Sequence, residues 1–509
     1  MPNNSKENPR RKFLEDAVFL AGGSAVAASL GLPNKAEAAP QSSEGKEGII
    51  PAKNVVQLET VGERVFWLEE NGGLYAAEFD ANSGSYSTAT LVEPIEVGYQ
   101  GSTVNSFDVI PKSGGGYHLI IRRPRLNESR IEVLYAQIDS VDNTLGLMEP
   151  VIGLETFDVG DAVCSNMGDK PFVAFTAGND ENHRYLYYAT RVEKEVEEST
   201  DLFEKRVAQI LKDSLIDQLT FLAGSQDQSH QEVWRNIQTE FGQSLAGNIA
   251  TTIDISPNQV ADELIKAGLA KYSLSADGEY AWINNPVLVE GSKVSKLSVS
   301  KELLGELKVV YRSKILPTDG SIFDTVASIS FVQTNERVRY YLPNLVYREL
   351  GSQDIVKTAS ANLGDESFQA VAFGAQKRVC FNWAFKENNK ELKSEAWKYF
   401  YSSVVDLSVD VQSVSKRVVA VVTLANGEVW KYNILRNTKG GLTINEQKLD
   451  HDDTTISNVE YSEDTGFVVT TVGPDGISRK PTMFIAAKIF GMNILKQIIQ
   501  AAMSGQSKP

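Results

Sequence analysis

Cysteine and histidine are almost missing from this sequence of 509 residues, which holds 2 of the first, Cys164 and Cys380, and 4 of the second, His118, His183, His230 and His451. Two thiols cannot build a sulfur-rich metal site, and the histidines share no ligand-like spacing, so a resident metal cofactor is not expected. The cysteines stand far apart in apolar, strand-like stretches and read first as core packing. A single disulfide between them would need their Cα atoms within about 7 Å. So few histidines also leave a Ser-His-Asp triad short of bases, and no Gly-x-Ser-x-Gly elbow, P-loop, Cys-x-x-Cys pair or His-Glu-x-x-His helix occurs. Basic residues are in deficit as well. Lys plus Arg number 50 against 66 Asp plus Glu, a net charge of −16, which argues against a nucleic-acid partner.

Long hydrophobic runs are scarce. One lies near the start, from Ala17 to Leu32, where Gly22, Gly23 and Gly31 dilute it and Pro33 ends it. It is too short to span a bilayer comfortably as a permanent helix. Ahead of it stands Pro9-Arg10-Arg11-Lys12-Phe13-Leu14, and behind it Ala36-Glu37-Ala38 sets small residues at the two subsites a signal peptidase reads. Arg10 and Arg11 followed by Phe13 and Leu14 resemble the signal of the twin-arginine translocase, with Pro9 where Ser or Thr is usual and Glu15 where Lys is usual. The resemblance implies cleavage after Ala38, a periplasmic or secreted location and no transmembrane segment in the mature chain. Residues 1–38 are thus expected to be a signal peptide and 39–54 a linker.

What is plentiful is hairpins. Arg64 to Leu68 turns at Asn71-Gly72-Gly73 into Leu74 to Ala77, and the same form recurs. Tyr117 to Ile121 pairs with Ile131 to Tyr135, Phe172 to Phe175 with Tyr185 to Tyr188, Ile329 to Val332 with Val338 to Tyr341, and Val379 to Trp383 with Lys398 to Phe400. Val418 to Thr423 turns at Asn426-Gly427 into Val429 to Tyr432, and Phe467 to Thr470 turns near Pro474-Asp475-Gly476 into Met483 to Ile485. Most neighbouring units are about 40 to 53 residues apart, the spacing of propeller blades. Tyr272 to Ile283, with Ser275-Ala276-Asp277-Gly278 at its turn, would supply an eighth unit. This segment resembles the Ser-Pro-Asp-Gly blades of Tol-system-like and WD-repeat propellers, with Ala276 in place of Pro. A sheet of this length cannot bury both faces alone, whereas radial packing of several such sheets buries them all. The expected fold is mainly β, a seven- or eight-bladed β-propeller over 55–190 and 271–489, with a pair of β-sandwiches or a β-rich solenoid as alternatives.

Between these parts, 191–270 reads as an α-helical insertion. Thr200 or Asp201 would cap a helix whose apolar positions Phe203, Val207, Ile210, Leu211, Leu215, Leu219 and Leu222 recur at helical steps. A second helix would start at Ser229 with Glu232 in a capping box, and a third at Ser256-Pro257, ending near Gly268. The insertion would be either a covering for the β domain or a lid or docking element. Residues 490–509 would form a short C-terminal helix and tail, with Met492, Leu495, Ile498, Ile499 and Ala502 along one side.

Candidate sites are few. Arg122, Arg123, Arg125 and Arg130 form a basic cluster in an acidic chain and could clamp a carboxylate or sulfate, or be a hairpin tip balanced by local acids. Asp450, Asp452 and Asp453 could give oxygen ligands to Ca²⁺, without the spacing of a calcium loop. The sequence thus points to an exported propeller that binds a glycan, peptide or protein partner. The alternatives are a carbohydrate-active hydrolase or lyase using acidic residues in the funnel, and a structural subunit of an extracytoplasmic assembly.

Overall fold

The computed structural model describes residues 49–481 apart from short internal stretches, the longest being 94–103, 246–254 and 316–322. The chain folds into seven antiparallel sheets that make a β-propeller. From blade 1 to blade 7 the innermost strands are Val55–Val61, Ser106–Pro111, Asp158–Met167, Val294–Val299, Ile355–Asn362, Val404–Gln412 and Ile456–Ser462. Each packs beside the inner strand of the next blade, and the seventh returns to the first.

The second strand of each blade has sheet neighbours on both edges and another blade on each face, so water reaches neither side. That is why these strands are rich in apolar residues and buried along nearly their whole length, as in Arg417–Leu424 and Ser367–Phe373. Outer strands meet water and turn polar, as in Leu442–Leu449. Aromatic pairs join neighbouring blades: Phe66 meets Tyr117, Tyr135 meets Trp282, Phe172 meets Phe331 and Phe381 meets Tyr432.

The ring is closed from the other end of the chain. Ile49–Ile50, inside the stretch that reads as a linker, pairs with Gly476–Pro481 and supplies the outer strand of blade 7. The approach is close enough that a Cβ on Gly476, whose φ is +122°, would come within 2.0 Å of the Ile50 carbonyl oxygen.

The count of blades is seven, and the eighth unit expected around Ser275 does not form. Lys271–Leu274 and Tyr280–Pro286 are instead the two outermost strands of blade 3, Tyr280–Pro286 pairing with Arg184–Glu193. The Ser275 to Gly278 turn is a hairpin inside that blade, its Asp277 carboxylate accepting from the Ser275 hydroxyl and the Glu279 N–H. The hairpins expected at Tyr117, Phe172, Ile329, Val379 and Val418 all form. Phe467 to Thr470 pairs with Gly476–Pro481, and Met483 to Ile485 lie outside the described residues.

Three helices are inserted before the outer strands of blade 3: α1 (Thr200–Gly224), α2 (Gln228–Leu245) and α3 (Pro257–Lys266). The cap of α1 is Ser199, one residue before the expected Thr200, its hydroxyl accepting from the Leu202 N–H. In α3, Ser256 and Gln259 form a full capping box ahead of Pro257. The α1 face from Phe203 to Leu222 is buried as its periodicity requires. This helix lies against blades 3 and 4, where Gln218 bonds Tyr340 and Arg337 reaches Asp213 and Asp217. No helical residue is among those lining the central channel, so the described helices buttress the rim of the ring and do not cover its axis. None of them is long and apolar enough to cross a membrane. The C-terminal segment around Met492 to Ala502 lies outside the described residues.

Cys164 and Cys380 are both buried and free. They belong to blades 3 and 5, which are not neighbours in the ring, and this rules out the disulfide.

One charged cluster locks blade 5 to blade 6. The Glu366 carboxylate, 5% exposed, accepts from Trp383 Nε1 at 2.6 Å, from Arg436 at 2.8 and 3.1 Å and from Lys416 at 2.8 Å. Burial opposes its charge, but the bonds from Arg436, Lys416 and Trp383 outweigh burial and bring its pKa down to about 2. Glu366→Ala, which strands these partners, is expected to cost about 3–5 kcal/mol of unfolding free energy. The stabilisation from Glu366 is complete above its ordinary pKa of 4.5 and drains away as pH falls toward about 2. Thermal denaturation of wild type and Glu366→Gln across that acid range should therefore show their midpoints converging.

Candidate functional site

Seven inner strands converging on one axis leave seven unpaired strand edges, and each carries N–H and C=O groups that need partners. They enclose a cavity of about 1210 Å³ along the axis. Side chains of one blade satisfy the backbone of the next. Asp406 Oδ2, Ser408 Oγ and Asp410 Oδ2 of blade 6 accept from the N–H groups of Ser457, Val459 and Tyr461 of blade 7, at 3.1, 3.0 and 2.7 Å. Each pair is 51 residues apart, one blade repeat.

The same device recurs around the ring. Glu460 of blade 7 accepts from Gly62 N–H at 2.7 Å, Gln57 of blade 1 both accepts from and donates to Phe107, and Asp108 of blade 2 accepts from Cys164 N–H at 2.6 Å. Asp161 of blade 3 takes Lys296 N–H, and Thr358 of blade 5 donates back to the Lys296 carbonyl. Between blades 5 and 6 the link is ionic, Lys357 to Asp406 at 2.6 Å. These carboxylates were invisible as a group in the sequence. The signal for them was the acidic residue on one inner strand repeated a blade length later, as at Glu59, Asp108, Asp406 and Glu460.

At the entry of five inner strands the ladder to the second strand slips in a β-bulge: near Val56, Gly160, Lys296, Val356 and Val405. A bulge re-aims the residues around it. At this mouth Val56 and Val405 are 52% and 44% exposed, while the residues that follow, Gln57, Lys357 and Asp406, make the contacts just described.

Charge is divided unevenly around the channel. Lys296, Lys301 and Lys357 come from blades 4 and 5, and the acids Asp410, Glu460, Glu59, Glu63, Asp108 and Asp161 from the other five, with Lys112 of blade 2 as a cation among them. Glu59 is half-buried and receives Asn458 Nδ2 at 3.3 Å but no backbone N–H among the described contacts. Burial first and the nearby Asp108 second push its pKa up to about 8, against the pull of Lys357. Burial likewise raises Glu460 to about 7 and Asp108 to about 6, the latter opposed by its bonds from Cys164 and Val109. Burial works against the charge on Lys357, but Asp406 and Glu59 outweigh it and hold the ammonium above its usual range.

Arg122, from the basic cluster, is directed at blade 3: it donates to the Gly160 carbonyl and lies 3.5 Å from Asp161. Arg123 pairs with Glu132 on its own hairpin at 3.3 Å. Arg130 is exposed at the start of the following strand, and Arg125 lies outside the described residues. Of the three aspartates proposed for Ca²⁺, Asp453 is exposed with φ +60°, and Asp450 and Asp452 lie outside the described residues. Among the described residues no group of three or more His, Cys, Asp or Glu is arranged to hold a metal ion. Arg10, Arg11, Phe13, Leu14, Ala36 and Ala38 also lie outside them.

No protein-family model matches the sequence, and neither does any curated protein. Solved structures share the propeller form at very low identity. The Dos1 propeller aligns at 8% identity with a TM-score of 0.40, covering 86% of this chain and 81% of that one. The extracellular domains 1–2 of Drosophila Semaphorin 1a align at 6% and 0.42, covering 86% of each chain. An α-L-arabinofuranosidase of Fusarium graminearum, in complex with an iminosugar inhibitor, aligns at 8% and 0.41, covering 76% of this chain and 95% of that one.

Because the folded state raises the pKa of Glu59 from 4.5 to about 8, it holds this proton more tightly than the unfolded chain does. The associated stability is present below the unfolded value and is lost as pH rises through about 8. Glu59→Gln should therefore match wild type in mild acid and exceed it in unfolding midpoint at alkaline pH. A midpoint difference that stays constant with pH would show that Glu59 titrates normally.

Proposed function

We propose that this chain is an exported binding protein that recognises a glycan, peptide or protein partner at the mouth of its channel. The observation that carries the reading is the way the channel carboxylates are used. Asp108, Asp161, Asp406, Asp410 and Glu460 are tied to backbone N–H groups, so they serve as fixed parts of the wall. Glu59 then offers an acid to whatever enters, and Lys357, half-exposed beside its partner Asp406, a cation, next to the apolar residues Val56 and Val356. Rigid donors and acceptors set around a concave wet surface suit recognition.

Purified full-length chain is to be run on glycan and peptide arrays beside Glu59→Gln and Lys357→Met. Binding by wild type that falls at least about tenfold, near 1.4 kcal/mol, in either variant is the expected result. Silence of the wild type on both arrays, or binding indifferent to both substitutions, overturns the reading.

A carbohydrate-active hydrolase or lyase is the second reading, and it is favoured by Glu59 keeping its proton to about pH 8, as a general acid must. Turnover of chromogenic glycosides that disappears in Glu59→Gln would replace the first reading with this one. Export follows from the signal-like residues Arg10 and Arg11. Changing both to Lys should retain the uncleaved precursor in the cytoplasm, as fractionation would report, whereas unchanged export would remove the twin-arginine route.

A further inference from the structure

Several cations of this ring come with anions: Lys357 has Asp406, Lys301 has Asp410 and Arg184 has Asp158. Lys431 differs. It stands within the third strand of blade 6, Val429–Arg436, directly across from Val421 on one side and Gln447 on the other, and is 5% exposed. Alternation along the strand places it with Val429 and Asn433 on the face toward blade 7, where Val419, Val421, Val459, Phe467 and Val469 form an apolar cluster.

The charges of the adjoining outer strand are engaged elsewhere: Glu446 pairs with Lys398 of blade 5, and Lys448 with Glu428. Blade 7 brings Tyr461, packed on Phe467, to the cluster, and Lys480 stands across from Val469 on the third strand of that blade. The charge that does act on Lys431 is a second cation, Arg417, on the neighbouring strand. Its guanidinium donates to Asn433 Oδ1 at 2.6 Å and lies 5.5 Å from the centre of the Phe467 ring.

Two cations on an apolar face, with no carboxylate between them among the described residues, are relieved either by loss of a proton or by gain of an anion. Burial, and after it the repulsion from Arg417, bring the Lys431 ammonium down to about 8, so mildly alkaline solution holds much of it as free amine. One small molecule turns that amine into the missing anion.

We propose that Lys431 is a carbon dioxide-binding site, its amine forming a carbamate whose carboxylate pairs with the Arg417 guanidinium. The Nζ lone pair bonds to the carbon of CO₂, one C=O π pair moves onto oxygen, and Nζ releases a proton to solvent. Nothing is oxidised or reduced. The local pair changes from two cations to a carbamate beside a guanidinium, a bidentate match of the kind carboxylates make. This site is separate from the channel and stands or falls independently of the binding reading.

The test is equilibration of the full chain with carbon-13 labelled CO₂, read by NMR, with alkylative trapping and peptide mass spectrometry to locate the adduct. A carbamate signal should map to the peptide holding Lys431. At fixed dissolved CO₂ it should grow from about pH 6 to about pH 9 as the amine population rises. Lys431→Met and Lys431→Arg should both lose the signal. The arginine keeps the charge without the nucleophile, and so decides the matter if the methionine variant does not fold. Arg417→Gln should lower the labelled fraction with Lys431 in place, and an unchanged fraction would remove Arg417 from the site. Folded wild type without an adduct on Lys431, or a signal that persists in Lys431→Arg, overturns the proposal.

Discussion

Everything about the centre of this molecule follows from the exposed inner edges of its blades. A β-strand at a sheet edge has a row of backbone groups with no ladder to join, and here seven such rows face one axis. Water could fill the role, but the protein instead lends side chains across each junction, and the best acceptors for N–H groups are carboxylates. The channel is therefore acidic for a structural reason before it is acidic for a functional one. That distinction separates Glu59 from its neighbours, because the other carboxylates described are already engaged in holding the ring. It also explains the raised pKa values. Burial works against the charge of each, neighbouring carboxylates add repulsion at Glu59 and Glu460, and Glu59, which gains no backbone N–H among the described contacts, shifts furthest.

The second strands of the blades were the legible part of the fold. Val418 to Thr423 and Phe172 to Phe175 announce themselves because burial on both faces leaves almost only apolar residues, and the turn at Asn426-Gly427 marks where the first ends. The inner strands are the opposite case. Val294-Ser295-Lys296-Leu297-Ser298-Val299 has one edge in the wet channel and a bulge in its middle, so neither strict alternation nor an apolar run survives in its sequence. The functional wall was accordingly the least visible portion of the chain.

Two questions that the sequence leaves open, seven blades or eight and the pairing of the cysteines, share a cause. The turn at Ser275 has the chemistry of a blade opening, yet it joins two outer strands, because local residues specify a hairpin and not its position in a sheet. The pairing of Cys164 with Cys380 was open in sequence and is closed by the placement of two non-adjacent blades between which no thiol can reach. The helical face of α1 was read residue by residue, since a period of 3.6 is a purely local property, but its destination against Arg337 and Tyr340 of blade 4 was not.

The outer strand contributed by Ile49–Ile50 has a consequence in time. Each of the first six blades can assemble from strands that are near one another in sequence once its own stretch of chain has left the ribosome. Blade 7 cannot. Its fourth strand is the earliest described segment of the chain and its partner, Gly476–Pro481, the latest, so the ring stays open until synthesis has passed residue 481. The bond of greatest sequence separation is then the last to form and the first that a pulling force on the two ends would break. The protein behaves as a bracelet whose clasp is made from the first and last strands of its described part.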